Sequence, residues 1–420
     1  MIHLIFIEKE EKAFFFFFFT LIYDIIRLCI GVYEMHINSK YSLKIKNGGM
    51  FLVLNTIKLV NYRNYENLLL SFSENINIIV GNNALGKTNI LESIYVLALT
   101  KSFRTSNDIN LVQKGYDRFI IEGNVTKNNF TDNLRINYSK NKNVYLNDKK
   151  VNKLSDYLSH LNVIVFSPDD LELIKGYPDV RRKYLNTEIS QLYPIYCKNL
   201  SEYNKLLKMR NDCIRKIKFN EYVDQSYLSV LESYLIDKAI NIYKVRNKYL
   251  NKISLYSKEI YKNTMLKDNF NIRYRTQPYF EEFSDDCIRK NMKKAFLNNF
   301  KEEIKYGSTL FGPHKDDFDF CLDDENLKII GSQSQQKLAV LVFKLAEIEL
   351  FKLQLDDYPV LLLDDIFSEL DLNKRNNILK YLDSSLQVIV TTTDIENIDN
   401  DIRNKANVYR IDNGKLFPGK

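Results

Sequence analysis

Residues Ile76–Thr100 read INIIVGNNALGKTNILESIYVLALT, and the rest of the chain is organised around them. An apolar run (Ile76, Ile78, Ile79, Val80) predicts a strand. It feeds Gly81-Asn82-Asn83-Ala84-Leu85-Gly86-Lys87-Thr88, the spacing of a phosphate-binding loop. Gly81 and Gly86 permit backbone angles and close approach that a side chain would block, so successive N–H groups at a helix N-terminus can surround a phosphate. Lys87 is then expected to reach the β/γ-phosphates of ATP and Thr88 to coordinate Mg²⁺. Ile90, Leu91, Ile94, Leu97 and Ala98 recur at helical spacing and predict the helix that follows.

The chain has 420 residues, 45% apolar and 27% charged, with a net charge of +7. That is ordinary globular composition with room for two or three cores; it allows a nucleic-acid partner without demanding one. Five cysteines (Cys29, Cys197, Cys213, Cys287, Cys321) are scattered without a C-x-x-C pair, which gives neither a zinc site nor a disulfide framework and fits a reducing, cytoplasmic setting.

Residues 1–49 hold six consecutive phenylalanines, Phe14 to Phe19. The uncharged run around them is shorter than the roughly 20 apolar residues a bilayer needs, and the preceding Glu8-Lys9-Glu10-Glu11-Lys12 is acidic where a secretory leader is basic. We expect 1–49 to be a non-native or disordered extension, with translation starting at Met50 after Lys46-Asn47-Gly48-Gly49. A membrane-associated segment is the alternative reading; no stable membrane association is expected.

From Met50, a strand (Val53, Leu54, Ile57, Leu59, Val60), the turn Asn61-Tyr62-Arg63-Asn64-Tyr65 and a return strand precede the loop. Arg63 and Tyr65 are read either as nucleotide contacts or as a solvated turn. Lys101-Ser102-Phe103-Arg104-Thr105 is a further candidate contact, and alternation through 118–146 predicts a meander. Val163 to Phe166 is a buried strand, followed by a helix start at Ser167-Pro168-Asp169-Asp170. Helical periodicity dominates from about Val180 to Asn263, where basic residues outnumber acidic ones and tyrosines (Tyr203, Tyr222, Tyr227, Tyr234, Tyr243, Tyr249) are interleaved. Such a stretch suits either nucleic acid or a solvated face over half-buried rings. Strands return from Ile304, with His314, Asp316 and Asp317 a weak candidate metal set on a turn.

Tyr358 to Asp365 is an apolar strand ending in two carboxylates. Asp364 is expected to hold Mg²⁺ and Asp365 to orient or deprotonate the attacking water, making Asp365 and Lys87 the catalytic candidates. Ser368-Glu369-Leu370-Asp371 resembles the D-loop of ABC-type ATPases. Gly331-Ser332-Gln333-Ser334-Gln335-Gln336-Lys337, at the head of an amphipathic helix, resembles their signature. That resemblance implies that Ser332 and Gln335 face ATP held by a second subunit, and hence an ATP-dependent homodimer. The insertion between the two halves is long for a transporter ATPase and far too short for the extended coiled coil of an SMC protein.

From Leu52 onward the chain resembles the RecF family. The shared stretches are Asn61 to Tyr65, Gly81 to Arg104, Phe166 through Arg182, Gly312 to Asp317, Ser332 to Lys337, Leu363 to Asp371 and Val390 to Thr393. The resemblance implies an α/β fold: an ABC-type P-loop ATPase head built from both chain ends (50–165 and 304–420) with an inserted, mainly helical arm (166–303). It also implies ATP-dependent binding of single- and double-stranded DNA at gaps, help in loading recombinase with RecO and RecR, a part in the SOS response, and weak DNA-stimulated ATP hydrolysis. The alternative is another ABC-type ATPase, either nuclease-associated and SMC-like or transporter-coupling. Ser334 stands where the family has Gly, and Lys315 and Lys337 where it has Arg, which keeps the charge and loses the bidentate fork. Within the basic arm, Lys205, Lys208, Arg210, Arg215, Lys216 and Lys218 are the candidate DNA-phosphate contacts.

Overall fold

The computed structural model describes residues 52–262, 269–365, 386–395, 400–412 and 415–418. The expectations for residues 1–49 and for Ser368-Glu369-Leu370-Asp371 lie outside the described residues. β1 (Val53–Tyr62) and β2 (Tyr65–Ser71) form the expected hairpin, and β3 (Ile76–Val80) leads through the glycine loop into α1 (Lys87–Leu99). β4 (Arg118–Lys127), β5 (Phe130–Ser139), β6 (Asn141–Leu146) and β7 (Lys149–Lys150) continue an antiparallel sheet of order β2-β1-β4-β5-β6-β7.

β8 (Val163–Phe166) is followed by a short helical turn whose start carries a Ser167/Asp170 capping box. Then come α2 (Pro178–Leu192), α3 (Pro194–Lys218) and α4 (Gln225–Lys262). β9 (Phe270–Arg275) and α5 (Asp285–Tyr306) complete the insertion, and β9 pairs with β10 (Asp317–Leu322), which also pairs with β11 (Glu325–Asn326). The inserted region is therefore joined by a strand ladder to the C-terminal stretch. α6 (Gln333–Leu355), β12 (Val360–Asp364), β13 (Val388–Thr392), β14 (Asn407–Asp412) and β15 (Lys415–Pro418) follow.

The second large sheet has the order β15-β14-β3-β13-β12-β8, with β14, β3, β13, β12 and β8 parallel. A parallel sheet covered on both faces needs strands apolar on both sides, which explains the unbroken runs Val163–Phe166 and Val360–Leu363. Successive side chains enter different cores. Ile79, Val165, Leu362 and Ile389 pack with α1 and the meander, whereas Ile78, Ile164, Phe166, Leu361, Leu363 and Val390 pack with α4 and α6. β13 lies between β3 and β12 in a register that sets Thr391 beside both Ile79 and Asp364. The loop after β3 and the carboxylates ending β12 thus share the C-terminal edge of the sheet, where α/β folds place their ligands.

Candidate nucleotide site and arm surface

Gly86 caps α1 with φ 101°, a backbone that L side chains rarely adopt. A Cβ there would collide with the Asn64 side chain, so glycine is required on both counts. Asn64 Nδ2 donates to the Leu85 carbonyl (3.0 Å), its Oδ1 accepts from Asn89 (2.8 Å), and the Tyr65 hydroxyl donates to the Gly86 carbonyl (3.1 Å). Tyr65 is buried. The turn between β1 and β2 is therefore a brace under the loop, a role beyond the two weighed from sequence.

Arg63 makes the same point, since its guanidinium grips buried Glu92 of α1 at 2.9 and 2.7 Å and also donates to the Asn110 carbonyl. Ser102 donates to Glu92 at 2.6 Å, and Arg104 lies 3.6 Å from it while donating to Asn89. Both motif stretches flanking the loop converge on one carboxylate.

Lys87 Nζ donates to the carbonyls of Gly81 (2.6 Å) and Asn82 (3.0 Å). Burial lowers its pKa, against the pull of Asp365 and Asp364. The Thr88 hydroxyl donates to Asp364 Oδ1 at 2.9 Å, and Thr391 donates to the same oxygen at 2.9 Å. Burial raises the Asp364 carboxyl, opposed by these two hydrogen bonds. Asp365 stands next in the chain at φ 46°, and its N–H donates to Thr391 Oγ1 at 3.0 Å. Thr391 thus ties both carboxylate positions to β13; it is polar at the end of an otherwise apolar strand, and it lies in the Val390 to Thr393 stretch that carries the family resemblance, where the sequence assigned it no role.

Gly81 donates to the Thr392 carbonyl at 3.2 Å, which fixes the start of the loop. Asn82, Asn83 and Ala84 are its exposed turn, with Ala84 at φ 66°, and Leu85 is half-buried against the core beneath. The glycine-requiring turn, a lysine beside it and a hydroxyl–carboxylate pair fit a magnesium nucleotide, because Mg²⁺ takes few protein oxygens and completes its shell with phosphate and water. Among the described residues no group of three or more His, Cys, Asp or Glu could hold a metal by itself.

At the head of α6, Ser332 Oγ accepts from the Gln335 N–H (3.3 Å) while the Ser332 N–H donates to Gln335 Oε1 (2.9 Å). This is a capping box, and the S-x-x-Q spacing could have announced it. Gln336, also missed, is buried and donates to the Leu327 and Gly331 carbonyls, fixing the approach to the helix.

The arm cluster divides. Lys205, Lys208, Arg215, Lys216 and Lys218 are exposed. Arg210 corrects the sequence expectation: it is fully buried (0% exposed), bonded to Glu232, Glu303 and Thr309, and lies over the Phe296 ring. A guanidinium so enclosed cannot meet DNA phosphate. The tyrosines divide likewise, with Tyr203, Tyr243 and Tyr249 in the core and Tyr222, Tyr227 and Tyr234 exposed. His314 is also not a metal ligand in this arrangement. Its Nδ1 bonds the Tyr203 hydroxyl (2.7 Å) and its Nε2 the Thr309 carbonyl (3.1 Å), while Asp316 and Asp317 pair with Arg246 and Arg181.

The family described as RecF/RecN/SMC N terminal domain matches residues 53–415. The DNA replication and repair protein RecF of Staphylococcus carnosus is 37% identical over 367 residues, covering 87% of this chain and 99% of that protein. The chain belongs to the RecF family. RecF of Pediococcus pentosaceus is 38% identical over 373 residues, covering 88% of this chain and all of its own length (100%). A solved structure of the recombination mediator protein RecF with ATP, in the RecFOR pathway, superposes with a TM-score of 0.84 at 31% identity, covering 89% of this chain and 99% of that one. The fold is accordingly the ABC-type ATPase head of RecF, in which both ends of the chain supply strands to one sheet. Among the described residues no helix is long and apolar enough to cross a membrane.

Proposed function

We propose that this protein is a cytoplasmic, ATP-dependent DNA-binding protein of recombinational repair and replication restart. It dimerises on ATP, binds DNA at gaps and helps to load recombinase together with RecO and RecR. The observation that carries the reading is the Thr88–Asp364 hydrogen bond, which joins α1 to the end of β12 across 276 residues of sequence and brings the two halves of a nucleotide site together. In this reading the Gly81–Thr88 N–H groups and Lys87 hold the β- and γ-phosphates. Thr88 and Asp364 hold Mg²⁺, which when bound offsets charge on the phosphate oxygens. Asp365 orients water and accepts its proton, and a side chain one methylene shorter than glutamate suits slow hydrolysis. Ser332 and Gln335, ordered by their capping box, present the N-terminus of α6 to the nucleotide of the second subunit.

The test is the binding of a gapped duplex measured by fluorescence anisotropy with and without ATP and Mg²⁺. Affinity is expected to rise with nucleotide, and equal affinity in both conditions would contradict the reading.

A further inference from the structure

Where α2 begins, a cleft of about 1190 Å³ opens between that helix end, β9 with the loop after it, and the Gly312–Asp317 stretch. It is larger than the roughly 300–1,000 Å³ of small-molecule sites. Four cations line it, Arg182, Arg273, Arg275 and Lys315, against two carboxylates, Asp179 and Asp317. Asp317 is already gripped by Arg181 (2.6 Å) and Arg275 (2.9 Å). Arg275 also holds Asp319, and Arg273 is held by Asp324.

Arg182 is different. Its guanidinium is half-buried, burial lowers its pKa, and its hydrogen bond among the described residues is to the Asp316 carbonyl at 2.9 Å, with no carboxylate at ion-pair distance. Lys315 is exposed beside it. Two large rings line the same cleft in the open, Tyr177 at 78% and Tyr279 at 77% exposure, while Tyr274 stacks on Phe283 behind them. The loop carrying Tyr279 is pinned, because the Gln277 carbonyl accepts from Tyr243 (2.9 Å) and from the Gly312 N–H (2.8 Å).

We propose that this cleft binds single-stranded DNA, with unpaired bases stacked on Tyr177 and Tyr279 and their phosphates on Arg182 and Lys315. Exposed rings interleaved with uncommitted cations are the combination that unstacked bases and backbone require, and a paired duplex has no free base face to offer. An acidic peptide is the other anionic occupant. It is favoured by several free arginine forks, whereas the forks of Arg273 and Arg275 are occupied, Arg182 alone has no carboxylate and already donates to the Asp316 carbonyl, and a run of carboxylates makes no use of the two exposed rings. Asp179 at the rim opposes either anion. The inference rests on the DNA-binding reading above and deepens it, since it gives a gap a feature that a duplex lacks.

The test uses the full chain with ATP and Mg²⁺, a fluorescent duplex carrying a single-stranded gap, and a fully paired duplex of equal length. Tyr177→Ala with Tyr279→Ala removes mostly exposed rings, and thermal melting checks that the fold is intact. Affinity for the gapped duplex is expected to fall about tenfold or more, as loss of base stacking predicts, with less than about threefold change on the paired one. Arg182→Gln with Lys315→Gln is expected to weaken gapped binding and lower its salt slope by about one to two. Unchanged gapped binding in both variants, or an equal loss on both duplexes in the tyrosine variant, overturns the proposal. Lost binding of polyglutamate with DNA binding intact also overturns it and assigns the cleft to an acidic protein. Failure of the unaltered protein to bind DNA would instead overturn the functional reading beneath it.

Discussion

The β1–β2 turn and the base of the arm are both held by an arginine on a buried carboxylate, yet the two pairs are built differently. Arg63 and Glu92 lie 29 residues apart inside one motif-rich stretch, the arginine is partly exposed, and Ser102 and Arg104 also serve the carboxylate. Arg246 and Asp316 lie 70 residues apart, both 1% exposed. Around Arg246 stand the Tyr196 hydroxyl, Asn186 and the Pro313 carbonyl, and around Asp316 the Tyr274 hydroxyl. The brace under the glycine loop is thus assembled from near neighbours with further partners on its carboxylate, and the arm base from residues far apart in the chain, with Arg246 the one cation paired with the Asp316 carboxylate among the described residues.

This contrast predicts unequal costs. Arg246→Leu leaves Asp316 buried without its cation and is expected to destabilise by about 3–5 kcal/mol, whereas Arg63→Leu, with the Ser102 hydroxyl still donating to Glu92 and the Arg104 charge still near it, should cost about 1–2 kcal/mol. Urea midpoints measure both, and equal costs would break the contrast.

A smaller effect is expected from pH. Burial holds His314 down to about 4, against an ordinary value of 6.5, so the unfolded chain binds the extra proton between these limits. The stability involved is complete above about pH 6.5 and is lost as the pH falls toward 4, by up to about 3 kcal/mol. Asp316, which burial pushes up to about 6, acts in the opposite sense: its contribution is present below an ordinary 3.8 and is lost as the pH rises through 6. The charged groups nearest His314 are Lys315, Arg182 and Arg246. His314→Gln removes only the first slope, so the stability of the unaltered protein relative to this variant should rise with pH between 4 and 6.5. A constant difference across that range would show that His314 does not titrate in this way.

The smallest effect on stability is expected at the arm surface. Neutralising Lys208, Arg215 and Lys216 together should move the urea midpoint by no more than about 0.5 kcal/mol, while lowering the salt slope of DNA binding by about one for each lost phosphate contact. Arg210→Gln should do the reverse, costing about 3–5 kcal/mol. If the surface triple variant keeps the full slope, these residues are a solvated face.

The sequence made the nucleotide edge legible because its chemistry lies close to the backbone. Two glycines, a lysine and a hydroxyl within eight residues leave little freedom of arrangement, and an apolar run ending in Asp364 and Asp365 fixes which edge of the sheet they occupy. Arg210 was misread because charge density along α3 was weighed without its phase. Tyr203, Leu206, Arg210, Cys213 and Ile217 recur at three- and four-residue spacing and form one inward stripe, and Arg210 stands in it. Its partners Glu232, Glu303 and Thr309 come from 22 to 99 residues away, and no local pattern reveals them. The same distance hid the joint of β9 with β10 and the environment of His314. Asn64 and Tyr65 were legible as a turn but not as a brace, since that role appears only when β2 is laid beside the glycine loop.

Sedimentation velocity with ATP and Mg²⁺ tests the central claim most directly, comparing the unaltered protein with Lys87→Ala and Asp365→Asn. The unaltered protein and Asp365→Asn should both dimerise on ATP, with hydrolysis in Asp365→Asn slower by about a hundredfold or more. Lys87→Ala should remain monomeric at any ATP concentration that saturates the other two. A Lys87→Ala protein that dimerises normally, or an Asp365→Asn protein that no longer responds to ATP, would contradict the assignment of these residues and the ATP-gated dimer built on it.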